Sequence, residues 1–153
     1  MSKINLRPYQ NNIVDDVFSN TSNDLVQLAT GGGKTVIFSK IIELLKGNTL
    51  VLVHREELLF QSCKMLALLD LEYQPINAKI KKINYNKKIF VSMVATLSSR
   101  KKKNHDYLKE IDTIIVDECH RSDFDKVLAM YPNARKIGFT ATPVRMKKTE
   151  CLN

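Results

Sequence analysis

The chain has 153 residues, 44% hydrophobic and 26% charged, with a formal net charge of +8. That is a common size for one domain and enough to bury a real core. No apolar run approaches the roughly 20 residues of a membrane span, and the opening MSKINLRPYQ lacks the apolar core of a signal peptide. A cytoplasmic protein with no membrane partner is therefore expected.

The predicted elements alternate short apolar runs with longer amphipathic ones. Ile13, Val14, Val17 and Phe18 share one helical face, with Asp15 and Asp16 pointing away. DLVQLA (24–29) reads as a strand. The glycine-rich stretch 31–33 follows, and then Ile37, Phe38, Ile41, Ile42, Leu44 and Leu45 form the stripe of a second helix. Gly47 stands where it could end that helix. TLVLVH (49–54) is the next strand, and Leu58, Leu59, Cys63 and Leu66 recur at helical spacing. Residues 70–87 carry no clear pattern. KIFVSMV (88–94) is a strand, and 99–104, polar and basic, reads as a loop. DTIIVDE (112–118), a helical pattern at Phe124, Val127 and Leu128, and KIGFT (136–140) complete the series. The tail 144–153 has no pattern and reads as a linker or a frayed end. Nearly continuous apolar strands alternating with helices indicate an α/β domain, with a mostly parallel central sheet and helices on both faces.

Charge and cysteine are informative by position. Nine Lys and Arg residues and no acidic residue lie between Lys79 and Lys103. Such a run is either a solvated surface loop or an electrostatic footprint for nucleic acid, and composition does not separate the two. The three cysteines, at 63, 119 and 151, are odd in number and widely spaced, which argues against a disulfide framework or a zinc site. Cys63 and Cys119 read as small apolar residues.

Two motifs carry chemistry. In QLATGGGKTVIF (27–38), Gly31, Gly32 and Gly33 stand between a strand and a helix. Glycine lets successive backbone N–H groups point into one concavity, and the helix N-terminus adds its positive dipole end. Lys34 would bring a full charge to the phosphates, and the Thr35 hydroxyl could ligate Mg²⁺. The full phosphate-loop pattern asks for a glycine where Leu28 stands, so the match is partial, and a tight strand–helix turn with an incidental lysine is the competing reading. In IIVDECH (114–120), a strand ends in Asp117 and Glu118. Open α/β sheets bind ligands at the carboxyl ends of their strands, so both acids should emerge beside the glycine loop. Asp117 could hold Mg²⁺, and Glu118 could act as general base toward water.

Taken in order, these motifs resemble the first RecA-like motor domain of a superfamily 2 helicase of DEAD/DEAH type. The likeness is greatest to the group of restriction-enzyme helicase subunits and repair helicases, and it covers Leu6 to about Arg145. It implies a RecA-like P-loop NTPase fold over residues 1–143, with 144–153 a tail or the start of an interdomain linker. LRPYQ resembles the adenine-recognition motif, which implies base contacts from Arg7 and Gln10. ATGGGKT is similar to the family's phosphate loop, which often lacks the first glycine, and implies ATP contacts from Thr30, Gly31, Gly32, Gly33, Lys34 and Thr35. VLVHREELLFQ implies nucleic-acid backbone contacts from His54 and Arg55, and VATLSS one from Thr96. DECH and GFTATP imply that His120, Thr140 and Thr142 couple hydrolysis to domain movement.

The implied activity is ATP- and Mg²⁺-dependent, on a nucleic-acid partner, DNA before RNA. A second RecA-like domain is expected to be absent from this chain and to act in cis or in trans, so hydrolysis by the chain alone is expected to be weak. Two alternatives stay open: a non-motor nucleotide- or nucleic-acid-binding regulator, or half of a split helicase, and an unrelated P-loop enzyme such as a small-molecule kinase or GTPase.

Overall fold

The computed structural model describes residues 5–28, 33–118 and 124–140. Six strands form one parallel sheet: β1 (Asp24–Gln27), β2 (Thr49–Val53), β3 (Gln74–Ile76), β4 (Ile89–Met93), β5 (Thr113–Asp117) and β6 (Arg135–Thr140), in the order β1-β6-β5-β2-β4-β3. The helices are α1 (Pro8–Ser19), α2 (Lys34–Leu44), α3 (Glu56–Leu68), α4 (Val94–Lys103) and α5 (Asp125–Ala129).

The period-two alternation of strand side chains sorts the core into two halves. Val51 and Val53 of β2, Val91 of β4, Ile115 of β5, and Ile137 and Phe139 of β6 pack with α1, α2 and α3. The alternate residues Leu50, Leu52, Phe90, Ile114 and Val116 pack with α4 and α5. Both faces are thus dry, which is why the strands read as continuous apolar runs. Phe38 meets Phe139 edge-on, with ring centroids 5.8 Å apart, and ties α2 to β6.

Four local expectations need correction. Residues 99–104 are not a loop: α4 runs through them to Lys103, because Val94, Leu97 and Lys101 fall at helical spacing on its buried side. Lys101 is almost fully buried, which hides the periodicity from a reading that treats lysine as polar. Its stem packs inward while Nζ donates to the carbonyls of His105 (3.0 Å) and Tyr107 (2.9 Å) and lies 4.7 Å from the Tyr131 ring centroid. Burial pulls this ammonium's pKa below its ordinary value. Phe18 and Leu44, expected on apolar faces, are exposed, since the core closes on Val14, Val17, Ile37, Ile41 and Ile42 without them. Nor does Gly47 end α2. The helix stops at Leu44, Leu45 is extended, and Gly47 (φ +83°) makes the turn into β2.

At that turn the Asn48 amide donates to Asp112 Oδ2 at 2.8 Å, drawing the aspartate over the Gly47 Cα, where a β-carbon would collide with its carboxylate. Gly47→Ala should lower unfolding stability by about 1–3 kcal/mol, from positive φ plus displacement of Asp112. The expected readout is a fall in urea midpoint with an unchanged slope.

Candidate nucleotide site

All six strands run the same way, so their carboxyl ends share one rim. His54 follows β2, Thr96 lies in the first turn of α4 after β4, Asp117 closes β5 and Thr140 closes β6. The alternation that sends Ile115 toward α2 also sends Asp117 that way, because the two are separated by one period. Lys34 is the first residue of α2. The two meet: Lys34 Nζ lies 2.6 Å from Asp117 Oδ1 and 2.7 Å from Glu118 Oε1, although Lys34 and Glu118 are 84 positions apart in the chain.

These contacts differ in kind. That to Glu118 is aligned as a hydrogen bond. The Asp117 Oδ1 contact is an ion pair outside hydrogen-bond alignment, and this oxygen is shielded from solvent. A buried carboxylate oxygen with acceptor capacity left over is what a cation takes up, and an ammonium already stands there. Burial pulls the Lys34 pKa down, but the close contacts and charges of Asp117 and Glu118 outweigh it and raise it above 10.5. The stabilisation from this raised pKa is complete below 10.5 and is lost only as pH climbs through the raised value.

Backbone strain marks the cluster. Glu118 has φ +60°, which turns the chain sharply after β5. Gly33, at φ +77°, is the residue before α2. Against it lies Gln10, whose Oε1 accepts from the Arg7 amide at 2.9 Å, leaving the carboxamide nitrogen facing Gly33, where a β-carbon would collide with it. The buried Gln10 side chain therefore joins the start of α1 to the end of the glycine loop, a contact that motif order alone does not reveal.

The other expected residues fall as follows. Arg7 is exposed ahead of α1, and Thr35 is half-buried beside Lys34. The Thr140 carbonyl accepts from the Leu28 amide at 2.9 Å, continuing the β1–β6 ladder. His54 packs edge-on against Phe124, with centroids 6.5 Å apart, and exposed Arg55 lies 3.9 Å from Glu57. Thr96 is half-buried on α4. Thr30, Gly31, Gly32, His120 and Thr142 lie outside the described residues. The structure thus brings together Gln10, Gly33, Lys34, Asp117 and Glu118, with His54, Thr96 and Thr140 on the same rim. A cavity of about 690 Å³ at the opposite end of the sheet, between Leu45, Leu71 and Ile89, takes no part in this cluster.

A parallel sheet with a lysine-headed helix facing two strand-end carboxylates is the arrangement of a RecA-like domain. Solved structures agree on the fold. The Hef helicase domain of Pyrococcus furiosus matches with a TM-score of 0.79 at 23% identity, over 96% of this chain and 34% of that one. A nuclease-deletion mutant of the type ISP restriction-modification enzyme LlaGI, solved with a DNA substrate mimic, matches with a TM-score of 0.73 at 22% identity, over 92% and 18%. The family model described as type III restriction enzyme, res subunit, matches residues 3–145, and the chain belongs to that family as a superfamily 2 helicase N-terminal domain. The candidate ATP-dependent helicase IRC3 of Saccharomyces cerevisiae is 32% identical over 94% of this chain and 24% of its own length. The chain spans about a quarter of the length of the curated relatives it matches.

Lys34→Ala should destabilise the nucleotide-free domain by about 1–3 kcal/mol, because it leaves the buried Asp117 carboxylate facing Glu118 with no cation. Chemical denaturation at neutral pH checks this. An unchanged midpoint would mean that solvent, not Lys34, balances the acids.

Proposed function

We propose that the chain is the ATP-binding first motor domain, residues 1–143, of a superfamily 2 nucleic-acid helicase or translocase. The observation that carries this reading is the Lys34 ammonium held between Asp117 and Glu118 at the start of α2, directly after Gly33. Gly33 with Gly31 and Gly32, and Thr30 before them, would receive the triphosphate. Lys34 would turn from the acids to the β- and γ-phosphates. Thr35 and Asp117 would hold Mg²⁺, which when bound neutralises charge on the β- and γ-phosphates. Glu118 Oε1, released from Lys34, would accept the proton of the attacking water. Arg7 and Gln10 would meet the adenine, and His120, Thr140 and Thr142 would couple hydrolysis to domain movement.

The nucleic-acid backbone is read onto His54, Arg55 and Thr96, on or beside the same rim. DNA is preferred to RNA because the LlaGI structure similar to this chain holds a DNA substrate mimic. A second RecA-like domain, in cis or in trans, would supply the arginine that stabilises charge on the transferred phosphoryl group. Without it the rate falls by on the order of 10³–10⁵.

Two outcomes test this. Glu118→Gln should retain Mg²⁺-dependent binding of a fluorescent ATP analogue while phosphate release falls about 10²–10⁴-fold; turnover equal to wild type would remove Glu118 as the base. Competition against that analogue should favour ATP over GTP. The comparison belongs on the unsubstituted chain, since Gln10 also packs on Gly33 and its removal would disturb phosphate and base contacts together.

A further inference from the structure

The nine basic residues from 79 to 103 do not have one fate. Lys101 is buried, and Lys87 is paired with Glu72 at 2.6 Å. Arg100 is structural. Its guanidinium donates to the carbonyls of Asn77 (2.9 Å) and Ile80 (2.6 Å) and to the Tyr107 hydroxyl (2.9 Å). The Asn77 side-chain oxygen accepts in turn from the amides of Lys79 and Ile80, both at 3.1 Å. The turn after β3 is thereby pinned against α4 as a fixed wall.

Between wall and helix lies a groove of about 370 Å³. Its floor is small, made by Ala78, Ala95 and Ser99. Thr96 stands at its upper end, and exposed Lys81 and Lys103 flank it. None of its lining residues is acidic. From Thr96 to Lys103 the groove follows two turns of α4, about 10 Å at 1.5 Å per residue. It leads away from the rim, down the flank of the domain.

We propose that this flank groove binds the sugar-phosphate backbone of a single nucleic-acid strand, with Lys81 and Lys103 neutralising phosphates and Ser99 donating from the floor. The proposal rests on the nucleic-acid reading above and extends the track beyond Thr96 to Ser99, the last residue of VATLSS, and to Lys81 and Lys103, which lie outside every motif named above. Four features select this occupant. The groove is positive on both sides, so an anionic polymer gains at each step. Its floor lacks bulk, so a backbone can approach closely. Its length of about 10 Å is enough for two successive phosphates of one strand, one for each flanking lysine. Its wall is held before binding, so little ordering is needed on contact.

The test uses the full chain and a fluorescent oligo-dT strand, with affinity measured across a range of salt. Lys81→Ala with Lys103→Ala should weaken binding at least tenfold at low salt. It should also flatten the plot of log K against log salt by about 1.4, at about 0.7 per lost single-strand phosphate contact. Ser99→Glu, which keeps both lysines but places a negative charge on the floor, should weaken binding as well. Lys46→Ala with Lys64→Ala removes the same charge from exposed positions away from the groove and should leave affinity within about twofold.

If both lysine pairs lower affinity equally, general charge and not the groove attracts the strand, and the proposal fails. It fails also if the Lys81/Lys103 variant keeps the parental slope. Absence of any salt-dependent binding by the parent chain would instead overturn the nucleic-acid reading itself.

Discussion

The structure turns on one ammonium set between two carboxylates. Lys34 begins a helix, Asp117 ends a strand, and Glu118 follows it in a strained turn. The cluster carries one positive and two negative charges, and Asp117 within it is nearly dry. Such a set is stable only while a cation faces both acids. Lys34 fills that need here. On the proposed reading, the lysine can leave for a triphosphate only as another cation replaces it, so phosphate and metal would enter as a pair. The fold's contribution is to aim both charge types at one point and to shield Asp117 from water.

The surrounding scaffold follows from this requirement. A parallel sheet gathers every strand's carboxyl end on one rim, whereas an antiparallel sheet would divide them between two. The alternation of side chains then decides which acid faces which helix: Asp117 shares Ile115's face and therefore meets α2. Positive φ at Gly33 and Glu118 bounds the cluster on both sides. Asp70 and Leu108 adopt the same backbone region in turns remote from it, so strain alone does not mark the site. What distinguishes Gly33 is the Gln10 carboxamide lying where its β-carbon would be.

The basic segment shows why charge counts mislead. Formal charge treats nine residues alike, while the fold divides them among a buried prop, a wall anchor, an ion pair and exposed lysines beside a groove. Arg100 spends its donors on carbonyls and a hydroxyl. That gives Lys81 a fixed mount, a division of labour decided by packing.

The sequence by itself determined the fold class, five of the six strands and the phosphate-loop and acidic motifs; the short edge strand β3 lies in 70–87, where no pattern was legible. These rest on local signals: apolar runs too long for a half-exposed sheet, glycine where the backbone must turn, acids at a strand's end. It could not determine that α4 continues through 99–103, because Lys101 occupies a core position only by virtue of partners at His105, Tyr107 and Tyr131. Nor could it show the Gln10–Gly33 contact or the flank groove. Each depends on segments far apart in the chain being brought within hydrogen-bonding or van der Waals reach, and propensity, pattern and spacing describe only neighbours. The distance from Lys34 to the acids belongs to that second class: both motifs are plain in the sequence, but only the assembled parallel sheet makes 84 residues of separation into 2.7 Å.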